Sequence, residues 1–227
     1  MLQPYHLQEK HLVSVDNVIF GYHEGQLKLL LFKRNLEPAL GQWSLIGGWV
    51  NPKESVEDAA NRVLVAITGL KDIFMEQVQV FSNPERDPGG RVISVVFYAL
   101  INIQNHNHQL VYQYNAEWWP VSQLPGLIFD HQQMVNAALE KLRKKASYDL
   151  VGRDLLPPEF TITQLRQLYN SIFMKEFDPG NFRKKILSLD TMERLDKKDT
   201  SESKKGAYYY RFKPKEAWDF TDRIIKM

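Results

Sequence analysis

The sequence predicts an α/β/α sandwich followed by a small basic domain of two helices and a β-hairpin, and three observations predict it. Strand-like runs at Leu12–Phe20, Gln26–Lys33, Glu76–Phe81, Arg91–Ile103 and Leu110–Tyr114 surround one amphipathic helix after Glu54 and precede another at His131–Lys145. The pattern then stops at Leu155-Leu156-Pro157-Pro158, where each proline disfavours helix at the residue before it. Charge changes sign near that break. Residues 1–150 carry 13 Lys and Arg against 15 Asp and Glu, and residues 151–227 carry 16 against 12. The division expected from this is a first domain over 1–147, a linker over 148–157 and a second domain over 158–227.

Composition narrows the function classes. A hydrophobic content of 44% and a charged content of 25% are those of an ordinary soluble globular protein. No apolar run is long enough to cross a bilayer, and MLQPYHLQEKH has no signal-peptide core. The expectation is a cytoplasmic protein with no membrane partner. With no cysteine there is no disulfide and no thiolate metal site. The six histidines lack ligand spacing, so neither a metal nor a cofactor is expected.

In the first unit, turn signals such as His23-Glu24-Gly25 and Asp87-Pro88-Gly89-Gly90 separate the strands. Val56, Ala59, Ala60, Val63, Leu64 and Ile67 recur at helical spacing. Glu54, Glu57 and Asp58 share an i, i+3, i+4 spacing, but acids in a first helical turn are favoured by the helix dipole alone.

The second unit has the order of a winged helix-turn-helix. Thr161 and Gln164 form a capping box, and Ile162, Leu165, Leu168, Tyr169, Ile172 and Phe173 then follow one helical face. Asp178-Pro179 is an N-cap followed by a first-turn proline. On the helix that follows, Phe182, Ile186 and Leu189 point one way and Asn181, Lys184 and Ser188 the other, with Arg183 and Lys185 on the flanks. An apolar face for the core and a polar, basic face for a groove are what a recognition helix needs. Met192–Leu195 and Ala207–Phe212 can pair as a hairpin whose tip carries Lys197, Lys198, Lys204 and Lys205. Ammonium groups there would meet phosphates.

Gly48, Glu54, Arg62, Gly69 and Leu70 fall on the spacing of the Nudix box, so the first unit resembles a Nudix domain. Three acids of that box are absent, and their positions hold Val63, Ala66 and Ile67. Clustered carboxylates at those positions would hold the divalent ions that activate water, and an aliphatic patch cannot. A protein without enzymatic activity is expected. Glu54 and Arg62 are expected to tie the loop to the helix. Glu117-Trp118-Trp119-Pro120-Val121 resembles the acidic-Trp-Pro turn that often follows the late strand of Nudix domains.

Joined to a winged helix, this degenerate box is similar to the Nudix-related transcriptional regulators. Asn83–Arg91, Leu156–Thr161 and Asn181–Lys185 also look like family signatures. The resemblance implies a dimer that represses from a palindromic DNA operator and is released by a small ligand in the Nudix domain. Many members sense ADP-ribose, while a Bacteroides branch, which this chain looks most like, controls arabinose utilisation. L-arabinose is therefore the effector expected, with ADP-ribose as the alternative. Lys33, Trp43, Trp49 and Arg91 are the effector residues expected from segments that line the cleft in relatives. Asn181, Lys184 and Ser188 are expected at the bases, and Arg183, Lys185, Lys204 and Lys205 at the phosphates. Two other readings stay open: a hydrolase with relocated carboxylates drawn from Glu54, Glu57, Asp58 and Glu85, and a binding module for RNA or protein.

Overall fold

A computed structural model describes residues 4–105, 108–200 and 205–214. The chain enters through β1 (Leu12–His23) and β2 (Gln26–Lys33). Glu24 and Gly25 join them with φ of 50° and 76°, the paired left-handed backbone whose twist suits a two-residue hairpin. Next come β3 (Trp43–Ser44), β4 (Ile46–Trp49), α1 (Val56–Thr68), β5 (Met75–Phe81) and β6 (Val92–Asn102). The first unit closes with α2 (His108–Gln113), β7 (Ala116–Pro120) and α3 (His131–Tyr148).

Seven strands form one sheet in the order β3-β2-β1-β6-β5, with β4 against β1 and β7 against β2. At its centre β1 runs parallel to β6 from Leu12↔Val92 to Tyr22↔Asn102. Alternation along β1 sorts the core, since successive side chains leave opposite faces of a strand. Val15 and Ile19 join Ala59, Ala60, Leu64 and Ile67 of α1 in one cluster. Val18, Phe20 and Tyr22 meet Met134, Val135, Ala138 and Leu142 of α3 in the other. Full burial of each such aliphatic or aromatic side chain contributes roughly 1.5–3 kcal/mol, so the two helices are held mainly by this stripe.

Two sequence expectations change. The run at Leu110–Tyr114 is not a strand, because it belongs to α2 and the turn that ends it. Short apolar runs fit either period. Here Val111 enters the core and Tyr112 stays exposed. The sheet edge beside β2 is taken by β7 instead, with Leu30 opposite Trp118. The Glu117–Val121 segment is thus mostly strand rather than turn.

The second unit contains α4 (Gly152–Leu155), β8 (Phe160–Thr161), α5 (Ile162–Phe173), α6 (Pro179–Ser188), β9 (Met192–Asp199) and β10 (Ala207–Phe212). The three strands pair as β8-β10-β9. Thr161 and Gln164 make the expected reciprocal capping box, and Asp178 caps α6 ahead of Pro179. Ile162, Leu165, Leu168, Tyr169 and Ile172 are buried, as are Phe182 and Ile186.

The segment expected as a linker is a packed joint. Leu150, Val151, Leu155 and Leu156 are buried in the same core cluster as α3 and α5. The Tyr169 hydroxyl donates to the Asp149 carbonyl at 3.1 Å, and Arg143 Nε donates to the Ile172 carbonyl at 2.9 Å. From the sheet, the Leu27 N–H donates to Ser171 Oγ at 2.6 Å. One apolar core therefore runs from the sandwich into the second unit.

Candidate functional site

At one end of the sheet, β1, β4, α1, the start of α3 and four loops, those of Arg34, Arg86, Tyr114 and Phe129, enclose a cavity of about 380 Å³. Its aliphatic wall includes Ile46, Val63, Ala66 and Ile67, so all three positions that lack the box glutamates line it. Gly47 and Gly48 complete that side. A Cβ on Gly47 would sit 2.5 Å from Asp16 Oδ1 and 2.7 Å from the Val15 carbonyl, so glycine there is required by space. Phe32, Trp49, Tyr114 and Phe129 supply aromatic rings. Trp49 and Tyr114 stand at the exposed rim, where their faces can stack on a planar ligand.

The polar groups are ordered by long-range bonds. Arg86 and Asp130 form a two-point pair, Nε to Oδ2 and Nη2 to Oδ1, each 2.8 Å. Both side chains are nearly out of solvent, which ties the Asn83–Arg91 loop to the start of α3. Arg34 donates from Nε to the Leu36 and Pro38 carbonyls at 3.1 and 2.7 Å, and its guanidinium lies 5.6 Å from the Phe129 ring centre. Arg34 makes no ion pair among the described residues, leaving its charge for an anion. His131 Nδ1 accepts from the Leu45 N–H at 3.1 Å. Burial holds this imidazole below its ordinary pKa range, outweighing the opposite pull of Asp16. Neutral, with Nδ1 as acceptor, it carries its proton on Nε2, which faces Asp16 Oδ1 at 3.9 Å. Asp16 Oδ2 accepts a hydrogen bond from the Ser94 hydroxyl.

Beside the cavity, Arg62 grips Glu54 through Nε to Oε2 at 3.0 Å and Nη2 to Oε1 at 2.6 Å. Arg62 also donates to the Trp49 carbonyl at 3.0 Å, so it braces the loop against α1. These contacts, led by the Arg62 hydrogen bond, hold the Glu54 carboxyl at about 2. Asp58 is engaged in the capping box with Ser55. Among the described residues no group of three His, Cys, Asp or Glu is placed to hold a metal ion, and no helix is long and apolar enough to cross a membrane.

In the second unit, Asn181, Arg183, Lys184 and Ser188 are exposed on α6 and Lys185 is half-buried. Arg183 Nη2 reaches the Tyr210 hydroxyl at 3.4 Å, and Ser188 Oγ donates to the Lys185 carbonyl at 2.7 Å. The hairpin strand extends further than expected, so Lys197 and Lys198 lie on β9 rather than at a tip. Lys197 is paired with Glu159 at 2.9 Å and lies against the Tyr209 ring, and Lys198 lies against Tyr208. Lys205 is exposed. Lys204 and residues 215–227 lie outside the described residues.

Two family models match this chain, the NUDIX domain over residues 10–140 and the NrtR DNA-binding winged helix domain over residues 152–212. It is 32% identical over 205 residues to the ADPR responsive transcriptional repressor NtrR of Acinetobacter baylyi, covering 88% of this chain and 82% of that protein. The chain belongs to the NrtR family. Its fold matches Shewanella oneidensis NrtR complexed with a 27mer DNA, with a TM-score of 0.80 and 32% identity over 93% of this chain and 98% of that one. The NUDIX domain of Shewanella oneidensis NrtR complexed with ADP ribose matches with a TM-score of 0.54 and 34% identity, over 62% and 94% of the two chains. The Nudix-plus-winged-helix fold expected from the sequence is thereby shown. The comparisons give no support to the arabinose branch or to L-arabinose, and they favour the ADP-ribose alternative.

Within this NrtR-type cavity, only Trp49 of the four expected effector residues is a lining residue. Lys33 stacks its ammonium 5.1 Å from the Trp43 ring, and Trp43 packs edge-on to Trp119. On β2 the neighbour Phe32 takes the cavity side, and on β3 Ser44 does. A shift of one residue along a strand changes faces, so Lys33 and Trp43 lie on the segments expected but not on the cavity side. Arg91 donates to the Ser82 carbonyl and braces its own loop. The residues missed are Arg34, Arg86, Tyr114, Phe129, His131 and Asp16. They come from five separate segments, and only the fold brings them together.

Proposed function

We propose that this NrtR-family protein is a transcriptional repressor that binds a palindromic operator as a homodimer and is released by ADP-ribose without hydrolysing it. The observation that carries the reading is the cavity wall of Val63, Ala66 and Ile67. With three carboxylates replaced by aliphatic groups, a diphosphate meets no like charge there and has no clustered acids through which to hold metal. Trp49 and Tyr114 suit adenine, and Arg34 suits a phosphate. Support for the ligand comes from the relatives, one named as ADPR responsive and one crystallised with ADP ribose. Support for the partner comes from the relative crystallised on DNA and from the polar face of α6. The effector site is assigned to Arg34, Trp49, Tyr114 and Phe129, and the DNA surface to Asn181, Arg183, Lys184, Lys185, Ser188 and Lys205.

Gel shifts with a cognate operator, titrated with ADP-ribose and in parallel with L-arabinose, test the reading. ADP-ribose is expected to release the DNA and L-arabinose to leave it bound. Product analysis with magnesium should find ADP-ribose intact. Turnover that disappears in Glu54→Gln would establish the hydrolase reading instead.

A further inference from the structure

Resting on ADP-ribose as effector, we infer that Asp16 and His131 form a receptor for one hydroxyl of the ligand's terminal ribose, which sets the preference for ADP-ribose over nucleotides that lack this sugar. Both residues line the cavity, with relative exposures of 7% and 4%. Each has one polar atom committed to the protein. Asp16 Oδ2 takes the Ser94 hydroxyl, and His131 Nδ1 takes the Leu45 N–H. The other atom of each faces its counterpart: Nε2–H, a donor, stands 3.9 Å from Oδ1, an acceptor. That separation is too long for a direct hydrogen bond.

An oxygen between them fits. With N–H···O near 2.9 Å and O–H···O near 2.7 Å, bonds to two points this far apart meet at roughly 90°. A hydroxyl can close such a bridge because it accepts one bond and donates another. A phosphate oxygen or a ring nitrogen that only accepts can satisfy His131 but not Asp16. The placement also selects which end of the ligand arrives. The rim is aromatic, with Trp49 and Tyr114 exposed, and suits a base. The floor is a buried donor–acceptor pair and suits a sugar hydroxyl. Sites built to bond a hydroxyl discriminate strongly against analogues that lack it, because their own polar groups are then left unpaired.

Calorimetric titration of the full chain with ADP-ribose and with ADP, which ends at the diphosphate, tests the assignment. Asp16→Asn keeps an oxygen for Ser94 but replaces the bridge acceptor by a donor, and His131→Asn keeps an oxygen for the Leu45 N–H but removes the Nε2 donor, so each variant abolishes the donor–acceptor pairing. If one fails to fold, the other carries the test. Either substitution is expected to shrink the ADP-ribose to ADP affinity ratio by about tenfold or more, whereas Trp49→Ala weakens both ligands alike. Equal weakening of both ligands by Asp16→Asn and His131→Asn, or an unchanged ratio, overturns the assignment. Wild-type protein that binds both ligands equally well overturns it too, while leaving ADP-ribose as effector. Wild-type protein that binds no ADP-ribose overturns the effector reading and this assignment together.

Discussion

Replacing Asp130 by alanine would leave Arg86 buried without its partner, and the size of that effect can be worked from the structure. The guanidinium side chain is 3% exposed and the carboxylate 13%, and two bonds of 2.8 Å join them. Removing one member of a buried pair costs about 3–5 kcal/mol, because the remaining charge stays out of water. The reverse substitution is gentler. Asp130 is the N-cap residue of α3, yet its side chain makes no capping bond while Arg86 holds it. In Arg86→Ala the carboxylate is free to turn onto the first N–H groups of α3, and such a cap contributes about 0.5–2 kcal/mol. Asp130→Ala should therefore be the more destabilising of the two by about 1–2 kcal/mol. For a chain of this length each kcal/mol moves Tm by about 2–4 °C, so the two melting temperatures should differ by about 2–8 °C. Urea unfolding followed by circular dichroism, with calorimetric melts alongside, measures both. If Arg86→Ala proves as damaging as Asp130→Ala, or more so, the capping argument is refuted.

Other perturbations separate the remaining roles. Asn181→Ala should relax base preference at one position of each half-site, at about 1–3 kcal/mol. Lys205→Ala should weaken every duplex alike and lower the salt slope by about one. A gel-shift series over operator variants and salt distinguishes them, and unchanged specificity in Asn181→Ala would mean that α6 presents a different residue to the bases. The Glu54 carboxyl is held at about 2, chiefly by Arg62. A depressed folded value means its stabilising contribution is complete above the ordinary carboxyl range and is lost as pH falls toward 2. Carbon-detected NMR titration should show it raised toward the ordinary range in Arg62→Ala, with the Asn51 N–H still holding it partly down, and an unmoved titration would remove Arg62 as the cause. Gly47→Ala places a methyl against the Val15 carbonyl, so a loss of about 1–3 kcal/mol is expected by denaturant melts. A neutral result would show that β4 can shift.

Several features could be read from single segments. The winged-helix order was legible because Thr161 with Gln164, and Asp178 with Pro179, announce helix starts by local chemistry. The aliphatic substitutions at Val63, Ala66 and Ile67 were visible because the motif around them fixes their spacing on one helix. Leu110–Tyr114 was misread for the same reason in reverse: five residues do not contain enough periodicity to choose between strand and helix, and the choice fell to which segment could lie beside β2. Lys197 and Lys198 read as tip residues because sequence alone does not show that β9 extends to Asp199, or that Glu159 stands beside Lys197.

The sequence by itself determined the two-part architecture, the absence of a carboxylate cluster in the box and the polar face of α6, since each depends on spacing within one stretch of chain. Tertiary structure decided what the cavity contains. Asp16 reaches His131 from β1 to α3, and Arg86 reaches Asp130 across 44 positions. Such pairs leave no local periodicity, because their partners are chosen by the folding of the sheet and not by their neighbours in sequence. The same holds for the joint between the units, where residues 148–157 look like a linker until Leu150, Val151, Leu155 and Leu156 are seen inside the shared core. Their burial depends on apolar surfaces that α3 and α5 present only once both are packed.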